Sequence, residues 1–271
     1  MDRTTSKWIP YKTIRIEPVV RIFCFPHAGG SASYFYRWMD YFPDWIDICP
    51  IQLPMRENRS SEEALESIHS CIERLTDDIF SYVEIPFAIF GHSMGGLLGV
   101  EWAHYLQRKY NISATMLFIS GTVPPHIFEK QKKISGLSDF LFLQEIIKYG
   151  GLPDEMLEYQ DIKSYVLPIL RHDFSLIENS NFSSKIKLSI PLSIYGGDND
   201  AFVSLKDLDK WKEYSDDHIE VNQFTGGHFY LNEHYRQVIT EMVNKLEDWR
   251  CDNGYSTIVR GRTNEECRMG K

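Results

Sequence analysis

Little in this chain of 271 residues points to disulfide, metal or membrane chemistry. Its five cysteines (Cys24, Cys49, Cys71, Cys251 and Cys267) are an odd, scattered set without a C-x-x-C pair. No disulfide framework is expected from such a set, and the thiols read as free and buried, as suits a reducing compartment. The histidines and cysteines lack ligand spacing, so no metal is expected. No apolar run approaches the roughly 18 residues that a spanning helix requires. The first 11 residues carry charge and Pro10 where a signal peptide would have an apolar stretch. A cytoplasmic protein without a membrane partner is the expectation. Basic residues are in deficit, with 29 Lys and Arg against 38 Asp and Glu and a formal charge of −9. That balance argues against nucleic acid or an anionic membrane as partner, since both reward clustered Lys and Arg. Neither G-x-G-x-x-G nor G-x-x-x-x-G-K occurs, so Gly29-Gly30 does not begin a nucleotide phosphate loop, and no cofactor is expected.

What is present is an apolar core in an α/β pattern. Hydrophobic residues make up 43% and aromatics 14% of the chain, enough for one sizeable domain. Strand-like runs at 20–25, 46–51, 87–90, 116–120, 192–195 and 219–224 alternate with helical spacing at 62–82, 94–109 and 234–249. This alternation predicts a mostly parallel sheet with helices on both faces, an α/β-hydrolase arrangement. From about 122 to 190 the alternation stops. Ile162, Tyr165, Val166, Ile169 and Leu170 follow helical spacing, as do Leu137, Phe140 and Leu141 ahead of Gly150-Gly151-Leu152-Pro153. A helical insertion at that point lies over the carboxyl ends of the strands, where ligands bind, and reads as a lid. The expected organisation is a single domain over 1–249 containing this lid at about 122–190, followed by a loose tail over 250–271.

The chemistry is announced by Gly91-His92-Ser93-Met94-Gly95, a G-x-S-x-G pattern between an apolar strand and a helix. A nucleophile elbow holds its serine in a strained backbone, and side chains at the flanking glycines would strike the neighbouring strand and helix. A serine hydroxyl needs a base, and the base needs an acid to fix its tautomer. In this fold they follow in the order Ser, Asp or Glu, His. Gly196-Gly197-Asp198-Asn199-Asp200 ends one later strand and Thr225-Gly226-Gly227-His228 the next, so Ser93, Asp200 and His228 are the expected triad. Asp198 is the alternative acid, in which case Asp200 would cap the following helix; Asp200 is preferred because its position leaves the loop long enough to reach the histidine. His92 reads as structural. The backbone N–H groups of Met94 and of Ala28, in the turn Phe25-Pro26-His27-Ala28-Gly29-Gly30-Ser31, are the expected oxyanion donors. A neutral base is required, so activity should fall as pH drops through roughly 6.5, the ordinary histidine value.

Five motifs together resemble the stand-alone type II thioesterases of nonribosomal peptide and polyketide synthesis. They are Phe25-Pro26-His27-Ala28-Gly29-Gly30-Ser31-Ala32, Gln52-Leu53-Pro54-Met55-Arg56-Glu57, Gly91-His92-Ser93-Met94-Gly95-Gly96, Leu167-Pro168-Ile169-Leu170-Arg171-His172-Asp173-Phe174 and Gly226-Gly227-His228-Phe229. The resemblance runs from about residue 20 to 246. It implies hydrolysis of acyl groups held as thioesters on the phosphopantetheine arm of acyl or peptidyl carrier proteins, with Ser93, Asp200 and His228 as triad and 150–174 in the lid. Chain termination in fatty acid synthesis, a small-molecule esterase and an inactive binding module are the competing readings. The chain departs from the family where Met55 replaces a usual glycine, which puts the turn in question, and where His172 replaces a usual alanine in the lid. Carrier domains of this kind are acidic, as this chain is, so docking is expected on a local apolar surface near the lid of a monomer.

Overall fold

Six short runs of β-branched and aromatic residues pair into one parallel sheet, β1 (Val20–Phe25), β2 (Ile46–Pro50), β3 (Phe87–His92), β4 (Met116–Ser120), β5 (Leu192–Gly197) and β6 (Glu220–Phe224). Their order across the sheet is β2-β1-β3-β4-β5-β6. The computed structural model describes residues 6–13, 15, 17–152, 160–182, 187–215 and 219–255. β1 to β5 are buried almost throughout, and alternate residues of one strand feed opposite cores. Phe23 and Phe25 pack with α1 (Ile68–Ile79) and α2 (Met94–Tyr110) on one face. Ile22 and Cys24 pack on the other face, against a 3₁₀ segment at Ala32–Tyr41 and the closing helix. Burial on both faces is the condition under which a parallel sheet is stable.

The chain leaves β1 toward β2 on one side and returns to β3 on the other, so the strand order reverses beside β1. A crevice opens at such a switch point, at the carboxyl ends of the strands. The register aligns Phe25 with Gly91 there, which sets the turn after β1 beside the residues that follow β3.

Between β4 and β5 the chain forms α3 (Pro125–Phe128), α4 (Asp139–Lys148) and α5 (Gln160–Glu178). They have a small core of their own, built on Ile134, Phe142, Ile146 and Leu170. Pro153 and the side chain of Ile162 lie outside the described residues. On α4 the expected apolar stripe is displaced: Phe142, Leu143 and Ile146 are buried, while Phe140 and Leu141 are 63% and 47% exposed. A run of apolar residues around the whole helix hid which face turns inward.

Two helix boundaries also differ from expectation. α1 starts at Ile68, not at 62, because Ser67 and Ser70 exchange side-chain bonds with each other's backbone N–H in a capping box. Ser204 caps α6 (Leu205–Leu208) in the same way, so the capping role that is the alternative for Asp200 is filled by another residue. The closing helix α7 (Leu231–Asp252) runs three residues into the stretch expected to be loose. Cys267 and the rest of 256–271 lie outside the described residues; Cys24, Cys49 and Cys71 are free, buried thiols.

Candidate active site

Ser93 joins the end of β3 to the start of α2 with φ 54° and ψ −121°, a backbone conformation that non-glycine residues rarely hold. The flanking glycines make that turn possible. A Cβ on Gly91 would lie 2.1 Å from the carbonyl oxygen of Gly95, and one on Gly95 would lie 2.1 Å from that of Phe25. Tight strand, turn and helix contacts thus push the serine hydroxyl out of the sheet edge. Met94 opens α2, so its N–H has no acceptor within the helix.

The loops after β5 and β6 bring in the other two groups. Nε2 of His228 lies 3.0 Å from the Ser93 hydroxyl, and Nδ1 lies 2.8 Å from Oδ2 of Asp200. The carboxylate can only accept, so Nδ1 carries the proton and Nε2 is left free to accept from Ser93. Both side chains are shielded from solvent, with Asp200 0% and His228 4% exposed. The other oxygen of Asp200 accepts from the N–H groups of Phe202 and Val203, which aims the carboxylate. Asp198 has a different position. It accepts from the N–H of Gly226 at 2.9 Å and ties the β5 loop to the loop that carries His228.

Beneath His228 lies a stack of neutral imidazoles. His92 is fully buried and its ring centroid is 5.2 Å from that of His228. Its Nδ1 meets Ser120, which in turn meets Tyr230. Burial first, then the neighbouring His228 and His27, hold His92 well below the ordinary histidine pKa. His27, hemmed in by Tyr34, His92 and Phe229, is lowered to about 3, again mainly by burial and then by His228 and Arg56. These rings therefore add no charge beside His228 near neutrality.

Ala28 sits at the crevice with Ser93, in the turn that follows β1. That turn is held by two residues that the reading of the chain did not single out. Asp173 of α5 accepts from the N–H of Gly29 at 2.7 Å and from both Nη atoms of Arg56 at 2.8 and 2.7 Å. Arg56 also donates to the carbonyls of Gly30 and Pro54. Opposite charges inside two apolar, proline-containing motifs were the available signal, since such charges are buried only when paired. The segment bearing Arg56 keeps its turn despite Met55, which takes φ 70°, the left-handed region where a glycine is at ease.

The crevice is a cavity of about 120 Å³. Ser93, His228 and Ala28 form one wall, and Ile146, Val166, Leu170 and Phe174 from the helices between β4 and β5 form the opposite, apolar one. A nucleophile with its base and an apolar chamber beside them are parts of an acyl-transfer site.

The profile of the thioesterase domain family matches residues 20–248. The chain is 35% identical over 241 residues to the gramicidin S biosynthesis protein GrsT of Aneurinibacillus migulanus, covering 89% of this chain and 94% of that protein. It is 29% identical over 220 residues to the medium-chain S-acyl fatty acid synthase thioesterase of Homo sapiens, covering 79% and 82%. Among solved structures, the type II thioesterase BorB of the borrelidin biosynthetic cluster superposes with a TM-score of 0.78 at 28% identity, covering 90% of this chain and 99% of that one.

Proposed function

The chain belongs to the thioesterase domain family, and we propose that it clears acyl groups from the phosphopantetheine arms of carrier proteins in nonribosomal peptide or polyketide synthesis. It is a type II thioesterase by its relatives and by its α/β-hydrolase fold. The observation that carries the mechanism is the Ser93, His228, Asp200 chain of contacts at 3.0 and 2.8 Å.

In this proposal the Ser93 hydroxyl attacks the thioester carbonyl while Nε2 of His228 takes its proton. Asp200 keeps Nδ1–H oriented and stabilises the imidazolium that forms. The N–H groups of Ala28 and Met94 receive the oxyanion. The pantetheine thiolate leaves with the proton from His228. Water, deprotonated by the same nitrogen, then attacks the acyl-serine, and the imidazolium returns that proton to the Ser93 oxygen as the acid leaves. No metal or resident cofactor takes part; the pantetheine arrives covalently attached to the partner.

The free thiols of Cys24, Cys49 and Cys71 support action in a reducing cytoplasm. Phe140 and Leu141, exposed on α4, support apolar docking of a carrier domain; that the enzyme acts as a monomer is part of the proposal. A second reading, release of fatty acyl chains, is favoured by the human medium-chain relative. Mass spectrometry of acylated carrier proteins before and after treatment separates the two. Loss of short acyl groups from synthase carrier domains, with little action on decanoyl carriers, is expected; the reverse preference would overturn the first reading.

A further inference from the structure

Two ring side chains stand between the acyl chamber and a second cavity. Tyr149, just after α4, and Phe174, on α5, line the 120 Å³ chamber that holds Ser93. They also line a separate cavity of about 250 Å³, whose apolar wall is Phe128, Ile134 and Ile177. No other residue borders both spaces among the described residues. The rings meet at 65° with centroids 5.9 Å apart. Tyr149 is braced by parallel stacking on Phe202 at 3.5 Å and by its edge contact with His228 at 5.2 Å. Phe174 is braced edge-on by Phe142 at 5.7 Å. Exposed Lys132 and Lys133 stand on the rim of the second cavity.

We propose that the Tyr149 and Phe174 rings form a partition that sets the acyl-length limit of this enzyme by closing its chamber off from the second cavity. The proposal rests on reading Ser93 as the acyl acceptor. Scale supports the limit. A dry cavity of about 150 Å³ holds benzene, so a 120 Å³ chamber takes an acyl group of about five carbons. Longer chains meet the two rings. The barrier consists of side chains and not of backbone, so truncating either ring joins the spaces; Tyr149→Ala also removes one ring contact of His228, whose bonds to Ser93 and Asp200 remain, and the decanoyl-to-butyryl ratio cancels that common loss. Each methylene that then reaches the apolar wall of Phe128, Ile134 and Ile177 favours the transition state by about fourfold, a gain that ends where polar side chains such as Glu129, Gln131 and Glu178 line the second cavity.

The test is a series of p-nitrophenyl esters and acyl-pantetheine thioesters from acetyl to decanoyl, read as the ratio of kcat/KM for decanoyl to butyryl. Wild type should favour butyryl, and Tyr149→Ala and Phe174→Ala should each raise the ratio by about tenfold or more. Tyr149→Phe, which keeps the ring, should leave it at the wild-type value. Ratios within about threefold of wild type in both alanine variants would overturn the proposal, as would a wild type that already hydrolyses decanoyl as well as butyryl. A rise in Tyr149→Phe equal to that in Tyr149→Ala would assign the effect to the hydroxyl and also overturn it. The readout needs no carrier protein. Failure of the carrier-clearing function would appear separately, as no gain for carrier-bound over free thioesters in the wild type.

Discussion

Asp173 on α5 and Arg56 in the segment after β2 form a bidentate ion pair buried to 1% and 3% exposure, and the same carboxylate holds the N–H of Gly29. One pair thus ties α5, in the helical segment between β4 and β5, to the turn that holds Ala28. Removing one partner leaves an uncompensated buried charge, which costs about 3–5 kcal/mol. Asp173→Leu or Arg56→Met alone should therefore lower the melting temperature by on the order of 10 °C. The double variant should recover part of that loss, yet its kcat should remain low because Gly29 and Gly30 are no longer held. Recovery of both stability and kcat in the double variant would show that the pair does not position the turn.

Ser93 is where the acyl-enzyme should form. Ser93→Ala is expected to lower kcat on the order of 10⁶-fold, as when a nucleophile is removed from a complete triad. Labelling by a fluorophosphonate should vanish with it. A variant that keeps a tenth of wild-type hydrolysis would place the nucleophile elsewhere.

The two loop aspartates should separate cleanly. Asp200→Asn removes the acceptor that selects the tautomer of His228 and should lower kcat by about 10⁴-fold. Asp198→Asn keeps a side-chain oxygen that can accept from Gly226, and its effect should stay within about twofold. Equal losses in parallel kcat measurements would mean that the loop tether matters as much as the carboxylate beside the imidazole.

Much of this was legible along the chain because the relevant signals are local. Strand runs, the glycines at 91 and 95, and the order of Ser93, Asp200 and His228 can be read without knowing what packs where. Pairings across long separations were not legible. Arg56 and Asp173 lie 117 positions apart, and nothing near either residue names its partner. The acid was only preferred, not decided, because Asp198 and Asp200 share one loop and differ in which neighbouring N–H each oxygen reaches. The inward face of α4 was hidden by apolar residues on both sides, and the wall formed by Tyr149 and Phe174 exists only once two helices meet.

Acid should destabilise the protein through its neutral imidazoles. His27 titrates at about 3 when folded and near 6.5 when unfolded. Between those values the unfolded chain binds the extra proton, so stability falls as pH drops below about 6.5 and continues to fall toward 3. Urea midpoints at pH 7.5 and 5.0 should therefore lie closer together in His27→Phe than in wild type. An unchanged separation would mean that this ring is protonated in the folded protein.

Under the proposed function, encounter with an acidic carrier domain cannot draw on the overall field of a chain whose formal charge is −9. Like charges repel at long range, so added salt should assist approach or leave it unaffected, and the attractive contact has to be apolar. Phe140 and Leu141 are an exposed apolar pair on α4, the helix that gives Ile146 to the wall of the acyl chamber. KM for an acylated carrier should therefore change by less than about tenfold between 50 and 500 mM salt. Phe140→Ser with Leu141→Ser should raise that KM severalfold while kcat/KM for a p-nitrophenyl ester stays at the wild-type value. A steep rise of KM with salt, unaffected by the double serine variant, would move the docking site to a basic patch elsewhere on the surface.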